Sequence, residues 1–185
     1  KARGGYRMGH QEALDHMFFD GLQNPYDGNM MGHFAELTSR KYGFSREQQD
    51  AFATASVTRA RRAQAEGRFS AEIAPVTVRT RAGETIVTED EGPGTVKIEK
   101  IPLLKPAFSK DGTVTAASSS SISDGAAALV LMKQSMAKAS GITVLAKIRG
   151  HAGFAQAPEW FTTSPVFAIR TLQDRLGWDA DSVDL

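Results

Sequence analysis

A hydroxyl-rich turn precedes a wholly apolar run in the stretch Thr113-Val-Thr-Ala-Ala-Ser-Ser-Ser-Ser-Ile-Ser-Asp-Gly-Ala-Ala-Ala-Leu-Val-Leu-Met132. Serine tracts are usually flexible linkers, but Thr113–Thr115 before the serines and Ala126–Met132 after them have the composition of strands. Because Ala126–Met132 is short and continuously apolar, it predicts a strand buried on both faces. A polar turn between two strands can present hydroxyls and backbone N–H groups to a ligand.

Before this stretch, the sequence predicts three helices. The predicted segments are 10–20, about 30–41 and about 46–66, with glycines at 21, 43 and 67 as C-terminal signals. The third has the strongest signal, because Ser45-Arg-Glu-Gln48 has the form of a capping box.

Strands and further helices follow the third helix. Alternating residues in Val76–Thr80 and Glu84–Thr88 predict a hairpin, and residues 89–110 read as a loop. Beyond the serine turn, the pattern predicts a short helix at Gln134–Ala139, a strand at Val144–Ile148 and a helix from Ser164-Pro165 to Gly177. Interleaved helices and strands place the chain in the mixed α/β class.

Composition excludes several classes of function. The 185 residues carry a net charge of +1, so neither nucleic acid nor an anionic membrane is an expected partner. No apolar run approaches the roughly 20 residues that span a bilayer, and the N-terminal residues do not resemble a signal peptide, so we expect a cytoplasmic protein. With no cysteine, the chain has no disulfide, no thiolate nucleophile and no cysteine-ligated metal. Its scattered histidines predict no metal site.

Several longer motifs are spread over essentially the whole chain. They are Lys1-Ala-Arg-Gly-Gly-Tyr-Arg-Met-Gly-His10, Ser45-Arg-Glu-Gln-Gln-Asp-Ala-Phe52, Gly67-Arg-Phe69, Leu104-Lys-Pro-Ala-Phe108, Asp111-Gly-Thr-Val-Thr-Ala116 and Ser123-Asp-Gly-Ala-Ala-Ala128. In this order they resemble the motifs of the thiolase family, and within the family they are most similar to those of bacterial acetyl-CoA acetyltransferases.

The resemblance implies an α/β fold of two similar halves with a large loop domain inserted in the first. Residues 1–117 then correspond to this helical loop domain with its small β-hairpin, and residues 118–185 to the first part of the mixed α/β second half. The last residues read as the lead-in to another strand, so we expect a truncated chain.

The resemblance also implies the chemistry: Claisen condensation of two acetyl-CoA molecules, or thiolysis of a 3-oxoacyl-CoA such as acetoacetyl-CoA. Such a reaction uses a cysteine nucleophile, a histidine that activates it, a second cysteine and an oxyanion hole. In the family these groups lie before the residue matching Lys1 or after the one matching Leu185. We therefore expect no catalytic residue in this chain, no activity from the chain alone and no cofactor, coenzyme A being part of the substrate.

The resemblance assigns coenzyme A or substrate contacts to Leu22, Met31, Phe108, Ala116, Ser120 and Phe161. Ala116 and Ser120 match contacts to the pantetheine arm, Phe108 an aromatic near the adenine, and Met31 and Phe161 the acyl end. The hydroxyls of Ser118, Ser119 and Ser121 are expected to be incidental.

Each assignment has a simpler structural alternative. The serine turn could be a solvated cap, and Phe108 and Leu22 could be ordinary core residues. For the whole protein, whose expected role is in fatty acid metabolism, the alternatives are a degradative 3-oxoacyl-CoA thiolase and a non-catalytic module that binds coenzyme A or mediates assembly. Family members are usually dimers or tetramers, so we expect a homo-oligomer with contacts from residues 1–10.

Overall fold

The computed structural model describes residues 5 and 8–184, which form two units divided between Ser120 and Ser121. The domain boundary after residue 117, expected from the resemblance, stays a prediction. The expected subunit contacts of residues 1–10 lie largely outside the described residues. No helix in the described part of the chain is long and apolar enough to cross a membrane.

Two long helices organise the first unit, and both were predicted. Helix α1 spans Met31–Tyr42 and ends at Gly43, whose φ of 69° is left-handed and therefore suits glycine. Helix α2 spans Arg46–Ala65. Its capping box is complete, because the Ser45 side chain accepts from the Gln48 N–H while the Gln48 side chain accepts from the Ser45 N–H.

The predicted helix over residues 10–20 is wrong. The chain instead forms a π-helical turn at Met17–Leu22, with Gly21 inside it. Leu14 and Phe18, which set the helical spacing, remain 55% and 43% exposed. A short helix is stable in a protein mainly when its apolar face packs against other residues. Since Leu14 and Phe18 are not packed in this way, residues 10–20 do not form a regular helix.

The predicted hairpin forms as strands β1 (Val76–Thr80) and β2 (Gly83–Val87), which pair antiparallel with Val76 opposite Val87. The connection is the dipeptide Arg81-Ala82, and Gly83 has a φ of 128°. The hairpin is exposed along its whole length.

The segment predicted as a loop contains short helical pieces. Within residues 89–110, helix α3 spans Gly92–Thr95 and a 3-10 turn spans Ile98–Leu103. A second 3-10 turn, at Ala116–Ser118, lies beyond this segment. The core of this unit includes Phe34 from α1 and Ile101 from the first 3-10 turn, which are 2% and 1% exposed.

The second unit contains the two predicted helices but not the predicted strands. Helix α4 spans Gln134–Ala139, and α5 spans Ser164–Leu176 with left-handed Gly177 after it. A 3-10 turn at Pro158–Thr163 precedes α5 directly, and another lies at Ala180–Ser182.

The strands predicted at Thr113–Thr115, Ala126–Met132 and Val144–Ile148 are absent, because β1 and β2 are the only paired strands in the described residues. A strand needs a hydrogen-bonded neighbour as well as a suitable composition. The run predicted to be buried on both faces is instead exposed, with Leu129 at 86% and Val130 at 87%.

Candidate functional site

The start of α1 brings the segments that carry Leu22 and Met31 side by side. Gln23 and Met30 form an isolated antiparallel bridge, and Leu22 and Met31 are the residues immediately outside it. The intervening turn is closed by the Asn24 N–H, which donates to the Asn29 carbonyl at 2.8 Å. Both predicted contact residues are half-buried and are held next to each other at one end of the helix.

Phe108 packs against the backbone of α1 at Gly32. A Cβ atom added to Gly32 would overlap the Cγ, Cδ1 and Cδ2 atoms of the Phe108 ring. Phe108 nevertheless remains 39% exposed, so its contact with the helix does not bury the residue. Phe108 is therefore not a fully buried core residue. Its contact residue in α1, Gly32, directly follows Met31 in the sequence.

Glu36 anchors the segment that leads from Phe108 to the serine turn. Its side chain is buried, at 2% exposure. Its carboxylate accepts hydrogen bonds from the Thr113 N–H at 3.0 Å and the Val114 N–H at 2.8 Å. A Cβ atom on Gly112 would overlap the carboxylate, so glycine is the residue that allows this close approach.

A second group of polar contacts ties the same segment to both long helices. The Thr113 and Ser39 hydroxyls are 2.8 Å apart, and the Gln49 amide of α2 donates to both oxygens. The Ser39 hydroxyl also donates to the Phe44 carbonyl at 3.0 Å. Thr113 is thus bonded through its backbone and its side chain.

In the serine turn, Ser118–Ser121, some hydroxyls bond to buried backbone and others are exposed. The Ser118 and Ser119 hydroxyls donate to the carbonyl of Thr115, which is fully buried, and the Ser118 oxygen accepts from the Thr115 N–H. These two hydroxyls cap the 3-10 turn, so they have a structural role, and the expectation that they are incidental to ligand binding stays a prediction. Ser120 is exposed, and within the described residues its hydroxyl has no intramolecular hydrogen bond.

Ala116 lies exposed at the start of the same 3-10 turn. The first unit therefore presents Leu22, Met31 and Phe108 around the start of α1, with Ala116 and Ser120 following the anchored segment. The 3-10 turn at Ala116–Ser118 packs against α2. At its start, the Thr115 side chain accepts a hydrogen bond from the Ala117 N–H at 3.2 Å.

Phe161 belongs to the second unit, within the 3-10 turn before α5, and is 41% exposed. The amide of Gln156 organises this turn by donating to the hydroxyls of Thr163 at 2.8 Å and Ser164 at 3.0 Å. Nearby, the rings of Phe154 and Phe167 stack with centroids 4.6 Å apart.

Sequence reasoning missed three side chains that tie separate segments of the first unit together, of which Glu36 is buried and Arg46 and Arg61 are half-buried. In addition to Glu36, Arg46 pairs with Asp50 at 2.9 Å and donates to the carbonyls of Ile101 and Leu104. Arg61 similarly donates to the carbonyls of Pro93 and Val96. The sequence does show glycines at positions 32 and 112, which can mark close contacts. The partners of these contacts, Phe108 and Glu36, are visible only in the structure.

No group of three or more histidine, aspartate or glutamate side chains in the described residues is arranged to hold a metal ion. What the site offers is a half-exposed aromatic ring, apolar side chains and an outward hydroxyl. Such groups can contact the apolar and the uncharged hydrogen-bonding parts of a ligand.

Comparison with known proteins identifies the family. Residues 1–135 match the thiolase N-terminal domain family. The chain belongs to the thiolase family. An acetyl-CoA acetyltransferase of Pseudomonas aeruginosa is 44% identical over the whole chain, and a mitochondrial acetyl-CoA acetyltransferase of Gibberella zeae is 46% identical over 99% of it.

Solved thiolase structures have the same fold. The chain superimposes on the acetyl-CoA acetyltransferase of Bacillus anthracis with a TM-score of 0.88 at 37% identity, over 100% of this chain and 47% of that one. A thiolase of Ascaris suum in complex with coenzyme A gives 0.87 at 37% identity, over 99% and 47%. The predicted thiolase-like α/β fold, with helices and a small hairpin, is confirmed. The chain spans about half the length of these relatives, 47% for the Pseudomonas protein.

Proposed function

We propose that this thiolase chain forms the coenzyme A-binding portion of an acetyl-CoA C-acetyltransferase. The reaction is condensation of two acetyl-CoA molecules, or thiolysis of acetoacetyl-CoA in the reverse direction. The observation that carries the proposal is similarity along the whole chain to acetyltransferases, among them the Pseudomonas protein at 44% identity. The exposure of Phe108 and Ser120 supports it, because a ligand could reach an aromatic ring and a hydroxyl there.

The residues of this chain bind and orient the substrate in this proposal. The amides of a pantetheine arm are neutral, so Ser120 and the backbone at Ala116 would recognise them through hydrogen bonds without charge. The Phe108 ring would pack near the adenine. Leu22 would make an apolar contact with the coenzyme, and Met31 would line the acyl end. Phe161, in the second unit, would be a separate apolar contact with the substrate.

The bond-making groups lie outside this chain in the proposal. Condensation and thiolysis both need a nucleophilic thiolate, and the chain has no cysteine. It therefore supplies binding and orientation, and a thiol elsewhere in the complete protein supplies the nucleophile. Coenzyme A thioesters are substrates here, and no resident cofactor belongs to the proposal.

Three finer assignments also belong to the proposal. We place the protein in the cytoplasm as a dimer or tetramer, with a role in fatty acid metabolism. The relative named mitochondrial makes organelle targeting the competing outcome. Light scattering gives the oligomeric state, and fractionation of cells that express the complete protein gives the location.

The test is thiolysis of acetoacetyl-CoA by the complete protein, with the 185-residue chain measured beside it. We expect turnover from the complete protein and none from the chain alone. Faster cleavage of long-chain 3-oxoacyl-CoA substrates would favour a degradative thiolase. Coenzyme A binding without turnover in the complete protein would favour a non-catalytic module, and absence of both would overturn the proposal.

A further inference from the structure

Helix α1 presents a single face to the segment that carries the proposed contacts. Gly32, Glu36 and Ser39 are spaced at i, i+4 and i+7, so they lie on one side of the helix. Phe108 packs on Gly32, and Thr113 bonds to both Glu36 and Ser39. The segment between Phe108 and Thr113 therefore begins and ends on this face.

The chemistry at the middle of that face is unusual, because Glu36 is a buried carboxylate held by neutral donors. Its acceptor oxygens bond the N–H groups of Thr113 and Val114, and no ion pair in the described part of the chain includes Glu36. Burying a carboxylate is expensive unless hydrogen bonds replace its water. An ionised carboxylate is acceptor-only, so both oxygens can receive N–H groups at once.

The bonded backbone leads directly to the proposed contacts on both sides. The Val114 carbonyl accepts from the Ala107 N–H at 2.9 Å, which fixes the residue before Phe108. After Val114 comes the buried Thr115 and then the 3-10 turn with Ala116. Glu36 thus holds the backbone at residues 113–114, between the part of the segment that carries Phe108 and the part that carries Ala116.

We propose that Glu36 is a positioning residue for coenzyme A binding: its carboxylate fixes the backbone of residues 113–114 and thereby sets Phe108, Ala116 and Ser120 for the ligand. The inference rests on the function proposed above. Glu36 is too buried to touch a ligand, so it acts through these residues and takes no part in bond making. Without it, the binding segment must be ordered by the ligand itself, which weakens affinity.

The direct test is Glu36→Gln in the complete protein. The amide keeps the size of the side chain but turns a hydrogen-bond donor toward backbone donors. Hydrogen bonds to charged groups are strong enough that we expect the KM for acetoacetyl-CoA to rise about ten-fold. Because the bonds act before the chemical step, kcat should change by less than about two-fold.

Two further variants separate positioning from general destabilisation. Gly112→Ala disturbs the same carboxylate from the opposite side, so it should raise KM as well, and the double variant should be less than additive. It also keeps the proposal testable if Glu36→Gln fails to fold. Ile101→Val removes one methyl from a core residue that is 1% exposed, so it should lower Tm with KM unchanged.

The outcomes are distinguishable from failure of the proposed function. An inactive wild-type protein would overturn both. An active wild-type protein whose KM is unaffected by Glu36→Gln and Gly112→Ala would overturn the positioning role alone. The positioning role would also be overturned if Ile101→Val raised KM as much as Glu36→Gln does, or if Glu36→Gln lowered kcat at constant KM.

Discussion

Replacing Gly32 with alanine tests the packing at the centre of the site without any assumption about the ligand. The new methyl group would occupy the space of three Phe108 ring atoms, so the ring must leave its position on α1. Gly32 does not have a positive φ, and alanine is therefore compatible with its backbone. Any destabilisation must come from the displaced ring.

The magnitude follows from two opposing effects. Glycine-to-alanine exchange inside a helix normally stabilises by about 0.8–1.0 kcal/mol, because alanine has the higher helix propensity. Overpacking costs about 1–3 kcal/mol. Since the methyl meets the rigid base of the ring, we expect overpacking to dominate and stability to fall by about 1 kcal/mol, a decrease in Tm of about 2–4 °C.

Thermal unfolding followed by circular dichroism measures this effect. The control is Gly94→Ala in α3, where an added Cβ has no heavy atom within 4 Å, so no loss is expected. In a Phe108→Ala background the clash is absent, and Gly32→Ala should then stabilise. An increase in Tm for Gly32→Ala alone would refute the packing of Phe108 on the helix.

Two other predictions concern the serine turn and the turn before α1. Ser120→Ala in the complete protein should weaken acyl-CoA binding by about 2- to 12-fold, seen as a higher KM at nearly constant kcat, since one neutral hydrogen bond is lost. The control Ser121→Ala, also at an exposed serine, should leave KM unchanged. A large drop in kcat for Ser120→Ala would contradict the assignment. Asp27 should titrate below its ordinary pKa, mainly because the Asn29 N–H donates to its carboxylate at 3.0 Å. The stabilisation from this bond should be complete above the ordinary pKa and disappear as the pH falls through the lowered pKa; NMR titration measures it, and an unshifted Asp27 would contradict it.

The sequence predicted best those features that depend on neighbouring residues. The capping box at Ser45 and the glycines at positions 43 and 177 define helix ends through contacts within a few residues, so their patterns are sufficient. The helix predicted over residues 10–20 rested on apolar spacing and on Gly21 as a C-terminal signal. Without a surface to pack against, the spacing did not produce a regular helix.

Features that depend on distant partners could not be predicted in the same way. Glu36 bonds Thr113 across 77 positions, and nothing near Glu36 in the sequence indicates that its carboxylate will accept backbone N–H groups. The unpaired segment Ala126–Met132 illustrates the same limit. An apolar run can predict the composition of a strand, but a strand forms only where another strand supplies its hydrogen bonds.

The serine turn combines both situations within four consecutive residues. Ser118 and Ser119 act locally, because their hydroxyls bond the carbonyl of Thr115, three and four positions earlier. Ser118→Ala should therefore lower stability through loss of a capping contact, whereas Ser120→Ala should leave stability nearly unchanged. The original alternatives, a cap or a ligand contact, are thus not exclusive: two serines hold the turn, and this leaves Ser120 on its exposed side, where a ligand can reach the hydroxyl.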